Sequence, residues 1–204
     1  MKKFLVVMLA LLMVLGMVAC KSGGAKVETG KIDVEAGTWQ NAFAGIKCQL
    51  GDEWTLLSEE EIKANNEKAL SAMGQDYAKA IKNASVFTDM MAKHENGKDT
   101  MSITFEKLNT LTKKMSEEKY AEASKDSTKG ALQSMGMSNV QVSIGTMTFA
   151  GKTHSCLDIT ASYYGQKVYE KLAIVKCGNY MVLFTACTWE TNNCQAVLDN
   201  FKAV

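Results

Sequence analysis

The chain has 204 residues, and its 23 basic and 22 acidic side chains give a formal net charge of +1, with no proline and no arginine. This balance excludes the strongly basic surface that is typical of nucleic-acid-binding proteins. The absence of guanidinium groups also argues against a dedicated bidentate site for phosphate or carboxylate.

The N-terminal segment predicts export and lipid attachment. Lys2 and Lys3 precede an uncharged run over residues 4–19, and Cys20 follows directly. Two lysines, an apolar run and a small residue before the cleavage point predict a signal peptide over residues 1–19. A cysteine at the next position resembles the lipobox of bacterial lipoproteins, in which the cysteine sulfur carries a diacylglyceryl group. The alternative, a transmembrane helix, needs about 20 apolar residues, and this run has 16.

The segment after Cys20 predicts a tether and one domain. Residues 20–36 are small, charged and poor in large apolar side chains, which is typical of a flexible linker. The remaining residues, 37–204, are enough for a single domain with its own core.

The first half of the domain alternates strands with helices. Residues 46–50 alternate apolar and polar, as in a strand. Ser58 and Glu61 form a capping box for a helix that ends near Asn83. Strands over 86–93 and 100–108 flank an Asn-Gly hairpin turn. Ser116 is the expected N-cap of a second helix over 117–135.

The second half predicts four strands, over about 139–149, 153–163, 168–176 and 180–189. Two-residue hairpin loops would place Tyr164 opposite Lys167 and Cys177 opposite Tyr180. A final helix, capped by Asn192 or Thr191, would include Phe201. One sheet face then carries Leu157, Ile159, Leu172, Ile174, Met181 and Leu183, and the other carries Ala173, Val175, Val182 and Phe184.

These elements predict an α+β fold. Since both sheet faces carry apolar residues, both need a cover, and three helices are available. We therefore expect a three-layer α/β/α sandwich around a mainly antiparallel sheet.

Several short segments resemble PsbP-like domains and their relatives among bacterial lipoproteins. The resemblance covers about residues 37–204, and it implies an α/β/α sandwich with an accessory or binding role rather than an enzymatic activity. It is carried by Trp39-Gln40-Asn41-Ala42-Phe43-Ala44-Gly45-Ile46, Leu50-Gly51-Asp52-Glu53-Trp54, Ser58-Glu59-Glu60-Glu61-Ile62 and Phe149-Ala150-Gly151-Lys152.

The five cysteines after Cys20 allow two interpretations. Their spacing contains no C-x-x-C pair and fits no zinc site. Either several are buried as small hydrophobic residues, or one disulfide forms, for which Cys187 and Cys194 are the best candidates. The odd number leaves at least one thiol unpaired. The members are Cys48, Cys156, Cys177, Cys187 and Cys194.

The two histidines give weak signals for chemistry. His94 lies near Glu95 and Asp99, which suggests either three metal ligands or a solvated hairpin tip, and we favour the tip. His154 alternates with Cys156, which suggests either a nucleophilic pair or an edge histidine beside a buried thiol, and we favour the latter. Asp158 is expected at the sheet rim beside Lys171 or Lys176. The sequence therefore predicts no catalytic residues, no metal and no cofactor.

Aromatic side chains could form either part of the core or a binding platform, and we favour the core. The predicted register places Tyr164, Tyr169 and Tyr180 on the sheet face of Ala173. The complete set is Trp39, Trp54, Trp189, Tyr163, Tyr164, Tyr169 and Tyr180.

Together these features predict a lipoprotein on the extracytoplasmic face of the cell membrane. Its membrane contact would be the diacylglyceryl anchor at Cys20, and its domain would be a non-catalytic binding or interaction module, for which another envelope protein is the candidate partner. Two alternatives stay open, which are a small-molecule receptor that feeds a transporter and a hydrolase or thiol enzyme that uses Cys156 and His154.

Overall fold

A computed structural model describes residues 29–73 and 86–204 of the chain. Two predictions lie outside the described residues in full, namely the signal peptide over 1–19 and lipid attachment at Cys20. The first part of the tether, over 20–28, and the end of the first predicted helix also lie outside them.

The described strands form two antiparallel sheets. The larger sheet has the strand order β4-β5-β6-β10-β9-β8-β7 and the smaller sheet has the order β1-β2-β3-β11. The smaller sheet contains β1 (Lys31–Asp33), β2 (Thr38–Asn41), β3 (Ile46–Gln49) and β11 (Phe201–Ala203). The larger contains β4 (Trp54–Leu56), β5 (Val86–His94), β6 (Thr100–Lys107), β7 (Ser138–Phe149), β8 (Lys152–Tyr163), β9 (Gln166–Cys177) and β10 (Tyr180–Trp189).

Three helices are described, and two of them begin as the sequence predicts. These helices are α1 (Glu59–Met73), α2 (Glu117–Ser134) and α3 (Cys194–Leu198). Before α1, Ser58 N donates to Glu61 Oε2 at 2.9 Å and Glu61 N donates to Ser58 Oγ at 3.3 Å, which completes the capping box. Before α2, Ser116 accepts from Lys119 N. In the part of the chain that the structure describes, no helix is long and apolar enough to cross a membrane.

The hairpin register is confirmed at one turn and wrong at the other. Cys177 pairs with Tyr180 as predicted, but Tyr163 rather than Tyr164 pairs across the β8–β9 turn, and its partner is Gln166. Tyr164 and Gly165 have φ values of 48° and 81°, and positive φ at both central residues defines a type I′ turn. Tyr164 is therefore an exposed turn residue and does not lie on the Ala173 face.

The two predicted sheet faces are nevertheless confirmed. The observed register between β8 and β9 differs from the predicted one by an even number of residues, so every side chain stays on its predicted face. The face of Leu157 and Leu172 packs in one core with α2. The face of Ala173 and Phe184 packs in a second core with the smaller sheet and α3.

The prediction of an α/β/α sandwich is corrected on the second face. The α1 and α2 helices contact each other and cover one face of the larger sheet. The opposite face is covered mainly by the smaller sheet, whose Trp39 and Phe201 pack edge-on against Phe184. Phe201 was expected in the last helix, but it lies in β11 opposite Cys48. The fold is α+β, and one of its outer layers is a sheet.

The last part of the predicted tether is attached to the domain. The β1 strand pairs with β2, with Lys31 opposite Gln40. Just before it, Gly30 N donates to Asp89 Oδ1 at 2.8 Å. Asp89 lies at a β-bulge between Thr88 and Met90 and is buried beneath the smaller sheet. The folded part of the chain therefore begins before residue 37.

Candidate functional site

The helix-facing side of β6 is polar and buried. Strand β6 lies inside the larger sheet, and its other side carries the apolar residues Met101, Ile103 and Phe105. Buried polar side chains in a sheet interior need partners, because an unsatisfied polar group costs about 1–3 kcal/mol. The polar residues on this side, which we call the β6 polar row, are Thr100, Ser102, Thr104 and Glu106.

Glu106 joins the β6 polar row to α2. The Tyr120 hydroxyl donates a short hydrogen bond to Glu106 Oε2. Burial, and then the charge of Glu106, raise the pKa of Tyr120 well above its ordinary value, so the phenol stays protonated and acts as a donor. This contact fixes the first turn of α2 over the sheet.

Two buried polar atoms have no partner among the described residues, one on α2 and one on the sheet face that α2 covers. Among residues 29–73 and 86–204, no hydrogen bond reaches Glu170 Oε1 or Thr128 Oγ1. Glu170 is 3% exposed and Thr128 is 1% exposed. Burial raises the pKa of Glu170 well above its ordinary value, which favours the neutral acid, and a protonated carboxyl group can both donate and accept. Native structures leave few such atoms unsatisfied, and a water or a bound group is one explanation of such an atom.

Glu170 lies at the inner end of a cross-strand line of side chains. On neighbouring strands, Lys93 pairs with Thr100, Thr100 pairs with Cys187, and Cys187 pairs with Glu170. At the outer end, Lys93 borders a surface pocket of about 330 Å³ between α1 and the β5–β6 turn. The other lining residues of this pocket are Leu57, Glu61, Ala64, Asn65, Lys68 and Gly97.

A second polar cluster lies where β8 and β9 separate. Their pairing stops at Ser155 and Ile174, although each strand stays paired with its other neighbour beyond this point. Glu117, the first residue of α2, fills the gap. Its carboxylate accepts from Lys176 N at 2.9 Å and from Ser155 N at 3.3 Å.

His154 completes this cluster, with Nδ1 at 3.0 Å from Glu117 Oε1. Burial alone would raise the pKa of Glu117, but the bonds from His154 and the two backbone amides outweigh it and lower the pKa. The carboxylate is therefore ionised at neutral pH and fastens α2 to the open end of the sheet.

Replacing Glu117 with glutamine should lower the free energy of unfolding by about 1–3 kcal/mol, because one charged acceptor serves several donors. Because the pKa of Glu117 is lowered in the folded state, its contribution to the free energy of unfolding is present above about pH 4.3 and is lost as the pH falls below this value. Urea unfolding at about pH 7 and about pH 3 measures the difference from the parent, which should shrink at the lower pH. The control is Glu118→Gln, which changes the exposed neighbouring residue. Equal effects of the two substitutions would contradict the role of Glu117.

The structure does not assemble a Cys156–His154 pair. The His154 ring contacts Glu117, whereas Cys156 Sγ lies 3.6 Å from Asp158 Oδ2. Burial, and then the charge of Asp158, raise the pKa of Cys156, which disfavours the thiolate that a nucleophile requires. Asp158 forms an ion pair with Lys171, as one of the two predicted rim contacts.

All five described cysteines are free thiols, so the structure contains no Cys187–Cys194 disulfide. Cys187 packs in the core beside α2, whereas Cys194 packs in the core beneath the smaller sheet. The larger sheet lies between the two side chains. Cys194 Sγ instead contacts the Thr188 hydroxyl and the Tyr169 carbonyl oxygen. Burial raises the pKa of Cys194 to about 11, which keeps the thiol protonated and unreactive at neutral pH.

The hairpin histidine contacts its own turn. His94 Nδ1 accepts from Asn96 N at 3.1 Å, and its ring packs edge-on against Trp54. Asp99 accepts from Trp189 N. Within the described ranges, no group of three histidine, cysteine, aspartate or glutamate side chains could hold a metal ion.

Three residues that matter most in these clusters were not predicted from the sequence, namely Glu117, Glu170 and Thr128. The alternation of Thr100, Ser102, Thr104 and Glu106 in a predicted strand was a usable signal. On its own, however, such a pattern is also that of a solvated sheet face.

Comparison with solved structures finds the crystal structure of LpqN, which is involved in cell envelope biogenesis of Mycobacterium tuberculosis. The TM-score is 0.39 with 14% sequence identity, and the match covers 76% of each chain. A likeness this weak establishes neither a shared fold nor a shared role. No family model and no curated protein match this chain. The resemblance to PsbP-like domains therefore stays an expectation.

Proposed function

We propose that this protein is a lipoprotein of the cell envelope, attached through a diacylglyceryl group on Cys20, whose domain binds a ligand without catalysing a reaction. The order of lysines, apolar run and Cys20 supports the anchor. The resemblance to PsbP-like domains implies the same class of binding role. The described thiols support a role without thiol chemistry, because burial raises the pKa of each, to about 12 for Cys48 and about 11 for Cys177.

One observation carries the binding role, namely the two unpartnered buried atoms of Glu170 and Thr128. A neutral carboxylic acid and a hydroxyl together offer donors and acceptors but no charge. They suit a small polar molecule that carries hydroxyl, amide or amine groups. The hydroxyls of the β6 polar row lie on the same face of the larger sheet as Glu170, and this is the face that α2 covers.

Mass spectrometry of the full chain, purified from membranes in mild detergent, tests both parts of the proposal. Under denaturing conditions, the chain should begin at Cys20 and carry the mass of a diacylglyceryl group, and Cys20→Ala should remain unprocessed. Under native conditions, a small polar molecule should stay bound to the parent. Thr128→Val should lose this molecule without losing stability, because valine removes an unsatisfied hydroxyl at nearly constant volume.

The matched control is Ser134→Ala, which removes an exposed hydroxyl of the same helix. It should keep the bound molecule. A parent chain without a bound molecule, whose melting temperature also stays constant in a screen of polar metabolites, would contradict the binding role. A ligand at 100 times its dissociation constant should raise the free energy of unfolding by about 2.7 kcal/mol, and a change of this size is easily measured.

A further inference from the structure

Two large apolar side chains at one end of the domain are exposed. Leu111 is 81% exposed and Phe43 is 45% exposed. Both flank the β9–β10 turn. The Phe43 ring packs edge-on against Tyr180 with a centroid distance of 5.6 Å. On the other side of the turn, Leu108 N donates to the Asn179 carbonyl oxygen at 2.7 Å, three residues before Leu111.

The tether leaves the domain at this same end. Since β1 runs antiparallel to β2, with Lys31 opposite Gln40, the chain before Lys31 lies beside the residue that begins the Phe43 turn, Asn41. Gly30 and Asn41 both donate to Asp89, which confirms that they are neighbours. The stretch from Cys20 to Thr29 can extend at most about 32 Å. A lipid on Cys20 would therefore keep this end near the bilayer surface.

The charge of this end suits lipid headgroups. Lys113 and Lys114 follow Leu111 in the same loop and are exposed, and Lys152 is exposed at the β7–β8 turn. The β7–β8 and β9–β10 turns lie at one end of the sheet, because alternate turns of an antiparallel sheet share an end. Apolar tips flanked by lysines are typical of surfaces that sit in the membrane interface.

We infer that this end of the domain, formed by the turn with Phe43 and the loop with Leu111, docks on the lipid bilayer, with both side chains in the interface and the lysines beside headgroup phosphates. The inference rests on the proposed lipid anchor. Because the anchor holds the domain at high local concentration, two side chains are enough to fix its orientation. The opposite end, with the β8–β9 turn, would then face away from the membrane.

The test places a fluorescent reporter at each end of the full, lipidated chain. Leu111→Trp reports on the docking end, and Tyr164→Trp reports on the β8–β9 turn, where Tyr164 is 85% exposed. Each variant is reconstituted into phosphatidylcholine and phosphatidylglycerol vesicles whose acyl chains carry bromine, which quenches nearby indoles. The parent chain provides the background from its own tryptophans. We expect at least a twofold loss of the added emission at 111 and no loss at 164.

Two failures are distinguishable because the N-terminal mass is measured on the same samples. If the diacylglyceryl group is present but position 111 is not quenched, or is quenched no more than 164, the docking inference is overturned and the anchor stands. A loop whose natural partner is a protein rather than the bilayer would give this result. If the diacylglyceryl group is absent, the proposed anchor fails.

Discussion

Replacing Asp89 with alanine is expected to destabilise the domain by about 2–5 kcal/mol, because each buried donor that loses its acceptor costs about 1–3 kcal/mol. Asp89 Oδ2 accepts from Trp39 Nε1 at 3.1 Å and from Asn41 Nδ2 at 3.1 Å. Gly30 N donates to both carboxyl oxygens. This one side chain therefore fastens β1 and β2 to the β-bulge in the larger sheet.

Chemical unfolding of the full chain measures this effect, and hydrogen exchange shows where it acts. The amides of β1 should lose protection first, since their attachment depends on Gly30 and on the smaller sheet. The matched control is Asp33→Ala, which removes one exposed bond to Ala36 N and should change stability by less than about 1 kcal/mol. If the two alanine variants were equally stable, the anchoring role of Asp89 would be wrong.

The second large effect concerns Glu170 and pH. Its pKa is raised in the folded state by burial, whereas the unfolded chain should ionise near the ordinary value of about 4.3. Between these two values, the folded state holds a proton that the unfolded state has lost. The contribution of Glu170 to stability is therefore greatest below about pH 4.3 and falls by about 1.4 kcal/mol for each unit of pH above it, until the folded pKa is reached.

Glutamine at position 170 should remove this pH dependence, because an amide does not titrate in this range. We expect the denaturant midpoint of Glu170→Gln to fall less than that of the parent between about pH 5 and pH 7, because only the contribution of Glu170 is removed and Asp89, whose pKa burial also raises, still titrates. At the upper end of this range, the variant should be the more stable of the two. The control is Glu122→Gln, an exposed residue of α2, which should follow the parent. A parent whose stability rises with pH in this window would contradict a neutral, buried Glu170.

Local signals predicted most elements of the fold. The capping box of Ser58 and Glu61 and the N-cap Ser116 each involve residues three apart, so their physics is complete within one turn of chain. The sorting of Leu157 and Ala173 onto opposite faces follows from the two-residue period of a strand. That sorting is correct even though the predicted turn was wrong. The observed turn at Tyr164 and Gly165 changes the register between β8 and β9 by an even number of residues, which leaves each side chain on the same face.

Long-range pairing accounts for the errors and the omissions. Residues 46–50 carried a strand pattern, but only the pairing of Phe201 with Cys48 revealed that this strand belongs to a separate covering sheet. Cys187 and Cys194 are seven residues apart and were paired on proximity, yet the larger sheet separates their side chains. Glu117 contacts Ser155 and Lys176, which are 38 and 59 residues away, and no local pattern marks such a contact.

The sequence by itself determined the segment order, the strand faces, the starts of α1 and α2 and the expectation of a lipid at Cys20, because each depends on neighbouring residues or on a short processing signal. Only the tertiary structure decided which polar groups are buried. A threonine or glutamate in a strand gives the same sequence pattern whether water or a helix covers it. The free energy of placing its polar group in these two environments differs by several kcal/mol. The roles of Asp89, Glu117 and Glu170 follow from that difference.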